Sequence, residues 1–235
     1  MNTREAFLQR VRVAVMEGNR AGTAPPLPER GRIAYQGAGP DPVERFCTEL
    51  TAAGGQPFVA PDRAATLEKI REIIQAHQTR KIAVGCGGLL ERLEVAKTLR
   101  ADGLEIQAMD AIPAALFRDA MFAADIGISN VEYLIAETGS VVMATRPNEP
   151  RSLSLLPPVH IAVAHPQQIL PDLFDLFDLY SPVADLAAPA SPPPSCLTLI
   201  TGPSKTGDIE LKLVTGVHGP GEIHVILCPE PSPII

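Results

Sequence analysis

From Pro42 to Ser129 short apolar runs alternate with helical stretches, and no other feature of the chain limits its fold so strongly. PVERFCTELTAAGG reads as a helix ending at Gly54, QPFVA as a strand, RAATLEKIREIIQAHQ as a helix and KIAVGC as a strand. A glycine-led helix around Leu89 to Arg100, a strand at LEIQAM, a short helix from Ala114 to Ala123 and a strand at ADIGIS continue the pattern. Parallel strands need a crossover, and a helix after each apolar run supplies one. The spacing therefore predicts an α/β fold with a largely parallel open sheet flanked by helices.

The texture changes after Ser129. YLIAETGSVVMAT and PPVHIAVAH read as strands around a turn, and QQILPDLFDLFDLY as a helix with Pro171 in its first turn. SCLTLITG is expected to be a buried strand and EIHVILC to close the sheet. The proline-dense stretch 181–195 is an expected surface loop. At the other end, a helix over 3–17 and a Pro/Gly-rich stretch form an arm, 1–41, ahead of a single α/β domain, 42–235.

Composition removes several function classes. The 235 residues carry a formal charge of −7 and no tryptophan, which disfavours a nucleic-acid surface built from clustered cations and stacking rings. No stretch approaches the roughly 18 apolar residues of a membrane span, and the polar N-terminus lacks an apolar signal core, so a cytoplasmic location is expected. Cys47, Cys86, Cys196 and Cys228 are scattered, which supports neither a zinc site nor an iron–sulfur cluster held by this chain alone. No local histidine grouping marks a metal site, so none is expected.

Three segments carry candidate chemistry. In TGPSKTGDIELKLVTGVHGP, Gly202 and Gly207 are spaced like P-loop glycines, but Asp208 and Ile209 stand where that loop needs Lys and Ser or Thr. Asp208 to Leu211 is read as the start of a helix, whose free N–H groups would join Ser204, Lys205 and Thr206 around an anion. The alternative is a plain turn and cap. In AETGS, Glu137 sits before Thr138, Gly139 and Ser140, where it acts as nucleophile or base, or pins the turn. His218 and Gly219, in TGVHGP, put an imidazole on a loop, accessible for proton transfer, while His160 and His224 fall inside apolar strands as core histidines bonded to backbone. VGCGGLLERL lacks the third glycine of a dinucleotide loop and is read as close helix–strand packing.

Taken together, AETGSVVM, SLLPPVHIAV and TGPSKTGDIELKLVTGVHGPGEIHVILC resemble the LUD-domain family, in its lactate utilisation C branch. The resemblance implies a NagB/RpiA/CoA-transferase-like fold and a part in oxidising L-lactate to pyruvate. It also implies iron–sulfur clusters in partner subunits and no cofactor in this chain, whose own ligand would be a small carboxylate or other anion. Two other roles stay open: a stand-alone CoA-transferase-like or sugar-phosphate enzyme using Glu137, and a non-catalytic assembly or sensing subunit.

Overall fold

The computed structural model describes residues 3–18, 37–146, 149–180, 194–209 and 212–229. Contacts divide the chain into a unit Met1–Tyr35, whose described part is helix α1 (Thr3–Gly18), and a unit Gln36–Ile235. Most of the proline-dense stretch 181–195 lies outside the described residues, as do Glu210 and Leu211.

The larger unit begins with α2 (Pro42–Ala52), started by Asp41, whose carboxylate accepts from the Val43 and Glu44 amides. There follow β1 (Gln56–Val59), α3 (Arg63–Ala76), β2 (Lys81–Val84), α4 (Gly88–Arg92), α5 (Val95–Ala101), β3 (Glu105–Ala108), α6 (Ala114–Ala123) and β4 (Ile126–Asn130). The expected helix from Leu89 to Arg100 is two helices, because Glu94 takes a left-handed conformation at φ 53° and breaks the run. After β4 come β5 (Tyr133–Ile135), β6 (Ser140–Ala144), β7 (Val159–Ala164), β8 (Ile169–Leu170), α7 (Leu173–Tyr180), β9 (Leu197–Ile200), β10 (Lys205–Ile209), β11 (Lys212–Thr215) and β12 (Glu222–Leu227).

The main sheet is parallel throughout, in the order β1-β12-β7-β4-β2-β3. Its inner strands are buried on both faces and largely apolar, with Ser129, His160 and His224 as the polar exceptions. On one face Leu67, Ile70 and Ile74 of α3, with Leu99 of α5, meet Ile128, Ile161 and Ile226. On the other, Phe46 and Leu50 of α2 and a second sheet, β8-β5-β6-β9, cover Ala162, Ala164, Val225 and Leu227. Full burial of Phe46 and Leu50 contributes about 2–3 kcal/mol each.

Three expectations are corrected here. β9 is a half-buried edge strand of the second sheet, whereas β12, the last strand in the chain, joins the main sheet between β1 and β7. α7 starts only at Leu173, because Ile169 and Leu170 pair with β5 before Pro171. The helix expected from Asp208 is the end of β10, paired antiparallel with β11 through Lys205–Thr215 and Thr206–Val214. The polar residues there match a helix start and a hairpin equally well, and only the distant partner strand decides.

Candidate functional site

Two glycine turns 63 positions apart in the sequence converge on the C-terminal end of α2. Gly139, at φ +63° in the β5–β6 turn, brings its backbone against Leu50 and Glu49; a Cβ there would lie 2.2 Å from the Leu50 nitrogen. Gly202, at φ +79° after β9, approaches Ala53 so closely that a Cβ would lie 2.4 Å from its carbonyl oxygen. Only glycine accepts both the left-handed backbone and the missing space. Hydroxyls then join the turns: Thr138 Oγ1 lies 2.7 Å from Ser140 Oγ, which lies 2.6 Å from Thr201 Oγ1.

Lys205 belongs to the same junction. Its ammonium donates to the Ala53 carbonyl at the end of α2, where a cation satisfies an orphan acceptor and the helix dipole together. With no helix starting at Asp208, the expected ring of free helix N–H groups around an anion does not form. Thr206 lies within β10 as well, half-buried.

A third segment closes the arrangement. The Ser204 amide donates to the Pro220 carbonyl at 2.9 Å and the Gly216 amide to the Ser204 carbonyl at 3.0 Å, holding the β11–β12 loop against the β9–β10 turn. Between them is a cleft of about 220 Å³ lined by Thr201, Gly202, Ser204, His218, Gly219 and, at its base, His160. His218 is exposed on the rim. Glu137 is half-buried and does not line this cleft; its amide donates to the Pro171 carbonyl at 3.1 Å, so the candidates Glu137 and His218 do not share this cavity.

His160 departs from the expected backbone-bonded core residue. It is fully buried on β7, with Nε2 2.8 Å from Ser129 Oγ of β4 and Nδ1 without a hydrogen-bond partner. Burial, then the nearby His224, holds it down at about 4, so the ring is neutral at pH 7. A buried ring nitrogen with no partner, in a residue lining a cleft, is the kind of group that a ligand satisfies.

A second polar centre lies at the opposite, carboxyl edge of the main sheet. The crossover from β2 leads outward to β3, while the chain from β4 proceeds the other way to β7 and β12, so the gap between β2 and β4 is a topological switch point, where open α/β sheets bind ligands. The loop leaving β2 is Gly85-Cys86-Gly87-Gly88, and β4 ends at Asn130. Glu149 packs behind this loop, only 8% exposed. Its Oε1 accepts from the Asn130 amide at 3.1 Å and from Asn130 Nδ2 at 2.5 Å, while Oε2 has no partner. Desolvation pushes its carboxyl up to about 7 against the opposing pull of the Asn130 bonds.

Cavities of about 740 Å³ and about 340 Å³ flank the loop, the first lined by Gly85, Cys86 and Asp110 and the second by Gly88, Asn130 and His165. The Cys86 thiol donates to Asp110 Oδ1 at 3.0 Å; burial first, and that bond next, push it up and keep it protonated. The loop read from sequence as helix–strand packing instead packs on side chains: Cβ atoms at Gly85 and Gly88 would strike Glu149 and Asn130. Glu149 gave no sequence signal, since it is a lone acid after RPN in a loop and its side-chain partner, Asn130, lies 19 residues away.

Residues 43–228 match the LUD domain. The chain belongs to the LUD-domain family. It is similar to Lactate utilization protein C of Anoxybacillus flavithermus, 27% identical over 92% of this chain and 94% of that one. Lactate utilization protein C of Bacillus subtilis is 39% identical over 44% of this chain and 42% of its own length. Among solved structures, a DUF162 family protein of Deinococcus radiodurans superposes with a TM-score of 0.53 at 20% identity, covering 79% of this LUD chain and 95% of the other, a likeness of fold. No helix among the described residues of this LUD protein is long and apolar enough to cross a membrane.

Proposed function

We propose that this LUD protein serves lactate utilisation as a subunit of an assembly that oxidises L-lactate to pyruvate, and that its own part is to bind the small carboxylate in the cleft above His160. The observation that carries the reading is the convergence of three distant segments, at Thr201–Ser204, His218–Gly219 and His160, on one cleft whose base has an unpartnered ring nitrogen. A carboxylate is held by several hydrogen-bond donors, and the hydroxyls of Thr201 and Ser204 with the two imidazoles are of that kind.

Lactate oxidation also releases two electrons, which need an acceptor. The four cysteines form no ligand set among the described residues: the one group of three or more metal-ligating side chains there is His77, Glu222 and His224. The donor chemistry of this chain therefore does not fit an iron–sulfur cluster, and the clusters belong to partner subunits in this reading. The role in the chemistry assigned to this chain is to seat the acid and orient its hydroxyl.

The test is lactate-dependent dye reduction by tagged protein isolated gently from its host, set beside the same chain purified alone. Reduction in the native isolate only, together with iron–sulfur absorbance from co-isolated chains, is the expected result. A His218→Ala, Ser204→Ala double variant should raise the KM for lactate in that isolate about tenfold or more, since a lost hydrogen bond to a charged group costs about 1.5–3 kcal/mol. An isolate that emerges as a single chain with no reduction overturns the subunit reading; unchanged KM overturns the cleft.

A second reading is favoured by Glu149. A carboxyl near 7 at the switch point suits a proton carrier in a stand-alone enzyme acting on an anionic substrate. Protection of residues around Gly85–Gly88, in place of the cleft, is its distinguishing result.

A further inference from the structure

At the edge of the main sheet opposite the switch point, α3 and β12 bring together three side chains that the proposed lactate chemistry does not use. Glu222 and His224 are alternate residues of β12 and so project from the same face of the strand. His77 caps α3 at its C-terminus, and the packing of Ile70, Ile73 and Ile74 against the sheet carries it to the start of β12. Glu222 Oε2 lies 3.3 Å from His77 Nε2 and 3.4 Å from His224 Nε2, and the three ligand atoms all lie within 4.8 Å of one another.

We propose that His77, Glu222 and His224 bind a divalent transition cation of the Zn²⁺ class, with a water in the remaining position. Four ligands at roughly 2.05 Å on a tetrahedron stand about 3.3–3.4 Å apart, the spacing of the two measured pairs. Two imidazoles and one carboxylate are a donor set that suits zinc and its neighbours better than magnesium or calcium, which take oxygen.

An independent observation points to the same place. His224 is 7% exposed, and its Nε2 is buried without a hydrogen-bond partner although it faces the Glu222 oxygen. The remaining cation nearby, Lys69, is engaged with Glu72 at 2.9 Å and lies over the Phe58 ring.

His77 and Glu222 also line a cavity of about 720 Å³ with Thr215, Gly216 and His218, so the fourth position opens onto solvent-filled space. Three protein ligands and one open position are the pattern of sites where the metal meets a small molecule. A bound cation would also tie the end of α3 to β12 and raise stability in proportion to its affinity.

The experiment uses the full chain stripped with a chelator and titrated with Co²⁺, whose visible d–d absorption reports nitrogen and oxygen ligands in a four- or five-coordinate site. The proposal expects saturation at one Co²⁺ per chain, displacement by Zn²⁺, and a higher melting temperature with Zn²⁺. His77→Ala and Glu222→Gln, both at accessible positions, should each weaken Co²⁺ binding more than tenfold while leaving the metal-free melting temperature unchanged. No saturable absorption, a thiolate charge-transfer band, or binding within threefold of wild type in both variants overturns it.

Discussion

Gly139→Ala is expected to cost about 3–5 kcal/mol of folding stability, a large part of the 5–15 kcal/mol a domain of this kind has. The methyl group would lie 2.2 Å from the Leu50 nitrogen, 2.5 Å from the Glu49 carbonyl carbon and 2.6 Å from the Leu50 Cα. All three are backbone atoms of α2, so no side chain can swing away and the whole helix must move. Moving it uncovers Phe46 and Leu50, both fully buried, and alanine at φ +63° adds about 1–2 kcal/mol of backbone strain. Gly207→Ala is the control, because nothing lies within 4 Å of a Cβ there; it should stay within about 0.5 kcal/mol of wild type. Urea denaturation followed by circular dichroism measures both, and near-equal midpoints would show that the β5–β6 turn is not locked onto α2.

Replacing Glu149 with glutamine should change the pH dependence of stability by about 3 kcal/mol across the window from pH 4.5 to 7. Folded, the carboxyl keeps its proton up to about 7, whereas in the unfolded chain it releases it near 4.5, so the folded state binds more protons between those values. Its stabilising contribution is therefore complete below 4.5 and is lost as pH rises to 7. His160 works in the opposite sense. Held at about 4 instead of 6.5, it makes the folded state bind fewer protons and adds stability as pH rises through that interval. The two nearly cancel in the wild-type protein, which is why the difference between the two proteins is the quantity to follow. Glutamine keeps an oxygen for the Asn130 donors and cannot ionise, so Glu149→Gln should gain on wild type steadily from pH 4.5 to 7 and hold that gain above it. Parallel denaturation curves at every pH would mean that Glu149 titrates normally.

The main sheet was legible because its signal is local: the apolar runs of β1 to β3 are each followed within a few residues by a glycine, a proline or a helix start, and α6 falls at Ala114–Ala123, where the sequence places it. What escaped was set by distant partners. Whether Lys205 to Ile209 continues as helix or strand depends on Thr215 and Val214, and whether Ile169 opens a helix depends on Leu134. The site divides in the same way. Gly139, Ser140, Gly202, Ser204, His218 and Gly219 stand out in the sequence as glycines and hydroxyls in turns, and the structure does gather most of them. Lys205 was misread, since a lysine beside a glycine turn looks the same whether it faces an anion or the carbonyl of a helix lying 152 residues away. Glu149 and Asn130 had no signal at all, being 19 residues apart with ordinary neighbours. Glu222 and His224 alternate along one strand, but nothing along the chain points to His77, 145 residues before Glu222, as their neighbour.

The most direct test of the proposed ligand cleft is to follow, in protein isolated natively from its host, histidine modification by diethylpyrocarbonate and cysteine alkylation with and without lactate. His218 stands on the rim of the cleft and Cys86 beside the switch-point loop, so each reports on one site. Binding in the cleft predicts that lactate slows modification of His218 and leaves Cys86 unchanged. Protection of Cys86 with His218 still reactive would contradict it and move the site to the crevice beside Glu149.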